Sequence, residues 1–120
     1  MPKNPRTFTG YHRQRLDRAA ENYLDECYRT KQPARGKDFA RSLDMTPEYM
    51  SWVGSRILGG SLHGFLREKQ LAYAARLLRT TALSIEEIAV RSGFGTRSTL
   101  HRRFVARFEV TPAAFRELKK

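Results

Sequence analysis

Three features of the sequence predict an all-α fold of about seven helices, forming two helix-turn-helix subdomains joined by a long linker helix. Apolar residues recur at three- and four-residue steps, no stretch alternates as a half-buried strand would, and capping residues repeatedly stand just before the apolar runs. At 120 residues the chain can bury one modest core or two small cores sharing a helix, but hardly two large independent domains. The expected organisation is a flexible basic arm over 1–10, a first subdomain over 11–60, the linker helix over 61–80 and a second subdomain over 81–120.

The arm contains two prolines, Lys3 and Arg6 and lacks apolar periodicity. A helix follows from about Tyr11. Leu16, Ala20, Tyr23, Leu24 and Cys27 give it one apolar stripe, and Pro33 with Gly36 ends it. Lys37 to Leu43 reads as a short helix and Asp44-Met45 as a turn. Thr46 then caps a helix with Pro47 at its first position, running to about Leu58. Gly59 and Gly60 stop that helix. Ser61 caps the linker helix, whose apolar positions Leu62, Phe65, Leu66, Ala74, Ala75 and Leu78 carry it to about Arg79, a length of roughly 28 Å.

Ser84-Ile85-Glu86-Glu87 reads as a capping box: Ser84 covers the amide of Glu87 and Glu87 reaches back, with Leu83 and Ile88 as the flanking staple. On this reading Glu87 serves the cap and Glu86 simply faces solvent, so neither is a catalytic carboxylate. The helix ends near Ser92 and Gly93. Another begins after Thr96 with Leu100, Phe104 and Phe108 in an i, i+4, i+8 line. The last starts at Thr111-Pro112, with Val110 and Phe115 as its staple.

Phe39 to Thr46 and Ile88 to Thr96 repeat one scheme: a short helix with a small residue at its packed centre, a turn, and a capped second helix. Ala40 and Ala89 allow close approach of the second helix. The turns need a positive φ, easy for Gly93 and tolerable for Asp44. Met50 and Val53 in one copy, and Leu100 and Phe104 in the other, are expected to close two small cores. A linker of roughly 28 Å would separate the second helices by something like one turn of duplex DNA, about 34 Å.

The chain carries 23 Lys plus Arg against 12 Asp plus Glu, a net charge of +11. Residues 1–60 hold 11 basic and 7 acidic side chains, residues 61–120 hold 12 and 5. Such an excess points to a polyanionic partner and leans towards the C-terminal half. No apolar run approaches the roughly 20 residues needed to cross a bilayer, and no signal segment is visible, so a cytoplasmic location and no membrane association are expected. Cys27 is the only cysteine, which excludes an internal disulfide and a Cys-rich zinc site; it reads as a small apolar residue. Acid-base pairs, phosphate-binding glycine loops and metal-ligand spacings are missing. No enzyme activity and no cofactor or metal are therefore expected.

Ser84-Ile85-Glu86-Glu87-Ile88-Ala89, Gly93-Phe94, Leu100, Arg102, Phe104, Phe108, and Thr111-Pro112 with Phe115-Arg116 together resemble the C-terminal signature of AraC/XylS-type transcription regulators. Ser61-Leu62, Phe65-Leu66, Leu71, Ala74 and Leu77-Leu78 resemble that family's linker helix. The resemblance covers about Tyr11 to Lys120 and is to the short, single-domain members, which lack an effector-binding domain. It implies a sequence-specific regulator of double-stranded DNA that activates or represses promoters from an asymmetric site as a monomer, with RNA polymerase as a second partner, controlled by abundance or partner binding.

The resemblance places base-reading positions of the second unit on Arg97, Ser98, Thr99, His101 and Arg102, side chains suited to groove edges. It places phosphate contacts on Thr96, Arg103 and Arg107 there, and on Thr46, Tyr49 and Arg56 in the first unit. First-unit base readers fall on Glu48, Ser51 and Trp52. That unit departs from the pattern. Glu48 would repel phosphates unless it accepts from a cytosine amino group. Trp52 replaces a commonly basic residue, Gly54 a usual core aromatic, and Gly36 a usual apolar residue. The first unit is therefore expected to supply backbone affinity or a different role. For Trp52, contact with thymine methyls or sugars and packing against a neighbouring helix stand as equal readings. A different class of function remains open beside the first: a protein-interaction module in which Tyr49, Met50 and Trp52 dock a protein while DNA binding is weak or non-specific.

Overall fold

Side-chain caps set most of the helix starts. A computed structural model describes the backbone of residues 10–118 and the side chains of residues 13–118, so the basic arm lies outside the described residues, apart from Gly10 in the first helix. Seven α-helices and no strand are found among the described residues. They are α1 (Gly10–Thr30), α2 (Gly36–Ser42), α3 (Pro47–Val53), α4 (Leu62–Thr80), α5 (Ile85–Arg91), α6 (Arg97–Phe108) and α7 (Pro112–Leu118). The Thr46 hydroxyl accepts from the Tyr49 amide at 3.1 Å, Ser61 from Gly64 at 2.9 Å, Ser84 from Glu87 at 3.0 Å, Thr96 from Thr99 at 3.1 Å and Thr111 from Ala114 at 3.0 Å. Each such bond satisfies an amide that the helix leaves over and contributes about 1 kcal/mol. Helix α2 enters from Arg35 without a side-chain cap.

The chain divides into two units, the first holding the residues up to Tyr23 with Arg35–Lys69, the second Leu24–Ala34 with the chain from Gln70. The division runs within α1 and α4. In the first unit Phe39, Ala40 and Val53 are buried, whereas Met50 is half-buried. The Tyr23 ring lies 5.4 Å from that of Phe39, while its hydroxyl donates to the Arg35 carbonyl and accepts from the Arg35 amide. The turn between α2 and α3 takes Asp44 to φ 57°. Beyond Val53 the helix widens into a π-helical turn, Gly54–Leu58, which ends at Gly59 with φ 69°. The Gly54 carbonyl accepts from the Gly60 amide at 2.9 Å, and a Cβ on Gly54 would stand 2.3 Å from the Gly60 carbonyl oxygen. A side chain at this position would therefore meet the Gly60 backbone unless that backbone moved. At Gly36 the space for a side chain is taken by the His63 ring.

The second unit is built on an apolar cluster in which Leu71, Ala74, Leu78, Ile88, Ala89, Leu100 and Phe104 are buried, with Leu83, Phe108, Val110 and Phe115 packed against it. Phe104 meets Phe115 edge-on at 5.3 Å and Phe108 at 4.6 Å. The staples around α5 and α7 thus join a single core. Gly93 makes the turn at φ 85°, where a Cβ would also meet the Ala34 Cβ at 2.9 Å, so both conformation and space call for glycine. Buried Gln70 donates to the Ser92 carbonyl at 3.1 Å, and buried Ser92 donates to the Ile88 carbonyl at 2.7 Å. Arg116 donates to the carbonyls of Leu78 and Thr81, both at 3.2 Å, satisfying acceptors at the end of α4. Cys27 is buried and fills space as a small apolar residue.

Candidate nucleic-acid interface

Helix α6 has an apolar line and a polar face because its sequence repeats every four residues. Leu100 and Phe104 are fully buried, Phe108 partly, and they hold the helix to its unit. Among the residues expected to read bases, Arg97 and His101 form one i, i+4 row and Ser98 and Arg102 the neighbouring row; all four are exposed. Thr99 sets itself apart. It is half-buried, its amide donates to the Thr96 hydroxyl, and its own hydroxyl accepts from Thr96 at 3.1 Å, so it belongs to the cap. Arg103 and Arg107 form a third row beside the apolar line, Arg103 half-buried and Arg107 exposed with its guanidinium 4.9 Å from the centre of the Phe108 ring.

Two expectations for α5 are corrected. The Glu87 carboxylate does not return to the Ser84 amide; it accepts from the Tyr28 hydroxyl at 3.1 Å and from Arg91 Nε at 3.0 Å. The Tyr28 ring also carries the Arg91 guanidinium at 4.9 Å, so a better-placed cationic and aromatic partner takes the carboxylate that the box would have used. Glu86 does not simply face solvent either: its carboxylate accepts from Arg97 Nη1 at 3.0 Å. The hydrogen bond from Arg97 is the main cause that holds the Glu86 carboxyl below its ordinary range, with its own backbone amide adding to it. Sequence reasoning missed both pairings. The Glu87–Arg91 spacing of four residues was a usable signal, whereas nothing local ties Glu86 to Arg97 or Glu87 to Tyr28.

The first unit presents different chemistry. Glu48 and Ser51 are exposed on one side of α3, with Trp52 half-buried beside them. The Trp52 and Tyr49 rings are 6.4 Å apart and tilted, and partial burial raises the Tyr49 hydroxyl above the ordinary phenol range. Thr46 is exposed as the cap and Arg56 is exposed within the π-helical turn. Arg56 is the one cation among the six first-unit residues expected to meet DNA, against Arg97, Arg102, Arg103 and Arg107 in the second. Among these expected contact residues the positive charge is thus concentrated on α6.

Among the described residues, no cluster of three or more His, Cys, Asp or Glu is placed to hold a metal ion, and no helix is long and apolar enough to cross a membrane.

Comparison with known proteins gives the same architecture. The helix-turn-helix domain family matches residues 39–118. The chain is 37% identical over 73 residues to the probable transcription factor PqrA of Proteus vulgaris, covering 58% of this chain and 60% of PqrA. It is 33% identical over 82 residues to the transposon Tn10 TetD protein of Escherichia coli, covering 68% of this chain and 59% of TetD. It therefore spans less than two thirds of the length of these relatives. The C-terminal domain of AraT, a response regulator from Geobacillus stearothermophilus, superposes with a TM-score of 0.69 at 29% identity, over 86% of this chain and 84% of that one. The match spans both the α2–α3 and the α5–α6 turns, and with it the capped, glycine-turned second unit: the chain belongs to the AraC-type helix-turn-helix family.

Proposed function

We propose that this chain is a non-enzymatic transcription regulator that binds double-stranded DNA by placing α6 in the major groove. The observation that carries this reading is the pair of exposed rows on α6, Arg97–His101 and Ser98–Arg102, backed by the buried Leu100 and Phe104. Arginine can give two hydrogen bonds to guanine O6 and N7, and serine and histidine are adaptable partners at base edges. Arg103 and Arg107, further round, hold the backbone phosphates, with Thr96 at the helix start. Thr99 acts through the cap rather than at a base. The net charge of +11 supplies the attraction for a polyanion.

In the first unit Thr46, Tyr49 and Arg56 meet the backbone, and Glu48, Ser51 and Trp52 contribute little or no base reading. One copy, carrying two such units, suffices for an asymmetric site, and RNA polymerase is the second partner. The docking-module alternative is not favoured, because PqrA is itself a probable transcription factor and the family match includes the intact second unit.

The test is selection of preferred duplexes from a random pool with the wild type and with Arg97→Ala. The expected result is a defined site in the wild type and a relaxed preference confined to one half of it in the variant. A pool that emerges unenriched from the wild type would contradict the assignment.

A further inference from the structure

We propose that Glu86 is a positioning residue for Arg97, holding its guanidinium so that α6 discriminates one base pair. The inference rests on the reading of α6 as the groove-entering helix and adds a residue of α5 to the recognition apparatus.

The ion pairs in the described residues are of two kinds. Glu26–Arg29, Asp38–Arg41 and Glu87–Arg91 join neighbours on one helix, three or four residues apart, as surface charges ordinarily do. Lys69–Asp17, at 2.7 Å, and Glu86–Arg97, at 3.0 Å, each join two helices, and of these two Glu86–Arg97 is the one that crosses a helix-turn-helix turn, eleven residues apart, to a residue expected to read bases. Both side chains remain open, Arg97 at 57% and Glu86 at 62% exposure, so the pair sits at the surface where a ligand would arrive.

The geometry favours positioning over masking. Glu86 is the second residue of α5 and its side chain has fewer rotatable bonds than that of Arg97, so the acid is the less mobile partner and the long arginine the more mobile one. The bond engages Nη1 alone. The opposite edge of the guanidinium, Nε and Nη2, is the edge that forks onto a planar acceptor pair such as guanine O6 and N7. A carboxylate clamped to one edge removes rotamers from an otherwise flexible side chain, and lost rotamer freedom is then not charged against binding. The same carboxylate sits near the approaching phosphates, where it weakens backbone attraction to any sequence. Glu86 therefore raises discrimination twice: it favours the matched base and disfavours indiscriminate binding.

The experiment is a double-mutant cycle with the wild type, Glu86→Gln, Arg97→Ala and the double variant. Each is titrated with the duplex selected by the wild type and with a duplex differing only at the base pair that Arg97→Ala relaxes, or, if none relaxes, only at the site's most strongly selected pair. Thermal unfolding is followed in parallel. Glu86→Gln is expected to cut discrimination between the two duplexes about threefold to tenfold, to bind the mismatched duplex as tightly as the wild type or tighter, and to unfold at an unchanged temperature. In the Arg97→Ala background the same change is expected to leave discrimination unaltered. If Glu86→Gln tightens both duplexes by one factor, the acid is only an electrostatic competitor and the inference is overturned; unchanged binding of both overturns it equally. If Arg97→Ala itself leaves discrimination intact, the assignment of Arg97 as a base reader fails, and the inference fails with it. That outcome is distinct from a failure of Glu86 alone.

Discussion

The turn between α2 and α3 passes through Asp44 at φ 57°, the turn between α5 and α6 through Gly93 at φ 85°, and each second helix opens on a threonine cap. Past the caps the two units part. Helix α6 runs regularly for 12 residues, long enough to stack three i, i+4 rows beside its apolar line. Helix α3 is regular for seven residues and then widens into the π-helical turn closed against Gly60, which re-aims every side chain after Val53. One scaffold thus occurs twice, but an array of cations in register appears only where the second helix stays regular. The first unit carries an acid, a half-buried tryptophan and one arginine in the corresponding places, and what it shares with the second is architecture.

Substitutions can break or sharpen that contrast. The largest effect is expected at the second core: Phe104→Ala removes a fully buried ring that two other phenylalanines pack against. It should cost about 3–5 kcal/mol in urea unfolding, and a loss below about 1 kcal/mol would show that this unit is not built around the ring. Next, Gly54→Phe restores the aromatic expected by resemblance. With the Gly60 carbonyl 2.3 Å from the new Cβ, destabilisation of about 1–3 kcal/mol is predicted by the same measurement. Unchanged stability would show that the Gly60 backbone moves aside without cost.

On duplex DNA, Arg97→Ala should lose about 1–3 kcal/mol of discrimination at one base pair, and Ser51→Ala in the first unit much less, both read by competition titration. Equal losses would erase the asymmetry between the units. Ser84→Ala and Thr46→Ala each remove one capping bond and should cost about 1 kcal/mol, a place where the two units behave alike. The smallest effect is a gain. Glu109 ends α6 in the left-handed region at φ 63°, with its charge beside the helix C-terminus, so Glu109→Gly should stabilise by about 0.5–1 kcal/mol in thermal unfolding.

Local chemistry was legible in the sequence. Thr46, Ser61, Ser84, Thr96 and Thr111 cap the helices they were expected to cap, and Asp44 and Gly93 take the positive φ their turns require, because each signal lies within four residues of its effect. Leu100, Phe104 and Ala89 are buried as their spacing implied. What escaped is long in sequence or irregular in backbone. Tyr28 reaches Glu87 across 59 positions and Gln70 reaches Ser92 across 22, and no local pattern announces either bond. The π-helical turn goes with a close Gly54–Gly60 approach, whereas the sequence from Pro47 to Leu58 reads as one ordinary helix. Of the second unit's five expected base readers, four share an exposed face and Thr99 is drawn into the cap, a division that identity alone did not show.

The central claim, that the cationic face of α6 engages a DNA duplex, is tested most directly by titrating the purified chain with its selected duplex across a salt series. Several phosphate contacts predict a linear fall of log affinity with log salt, at about −0.9 per contact, and Arg107→Ala should flatten that slope by about one contact. An affinity indifferent to salt, or no binding to any duplex at low ionic strength, would contradict it.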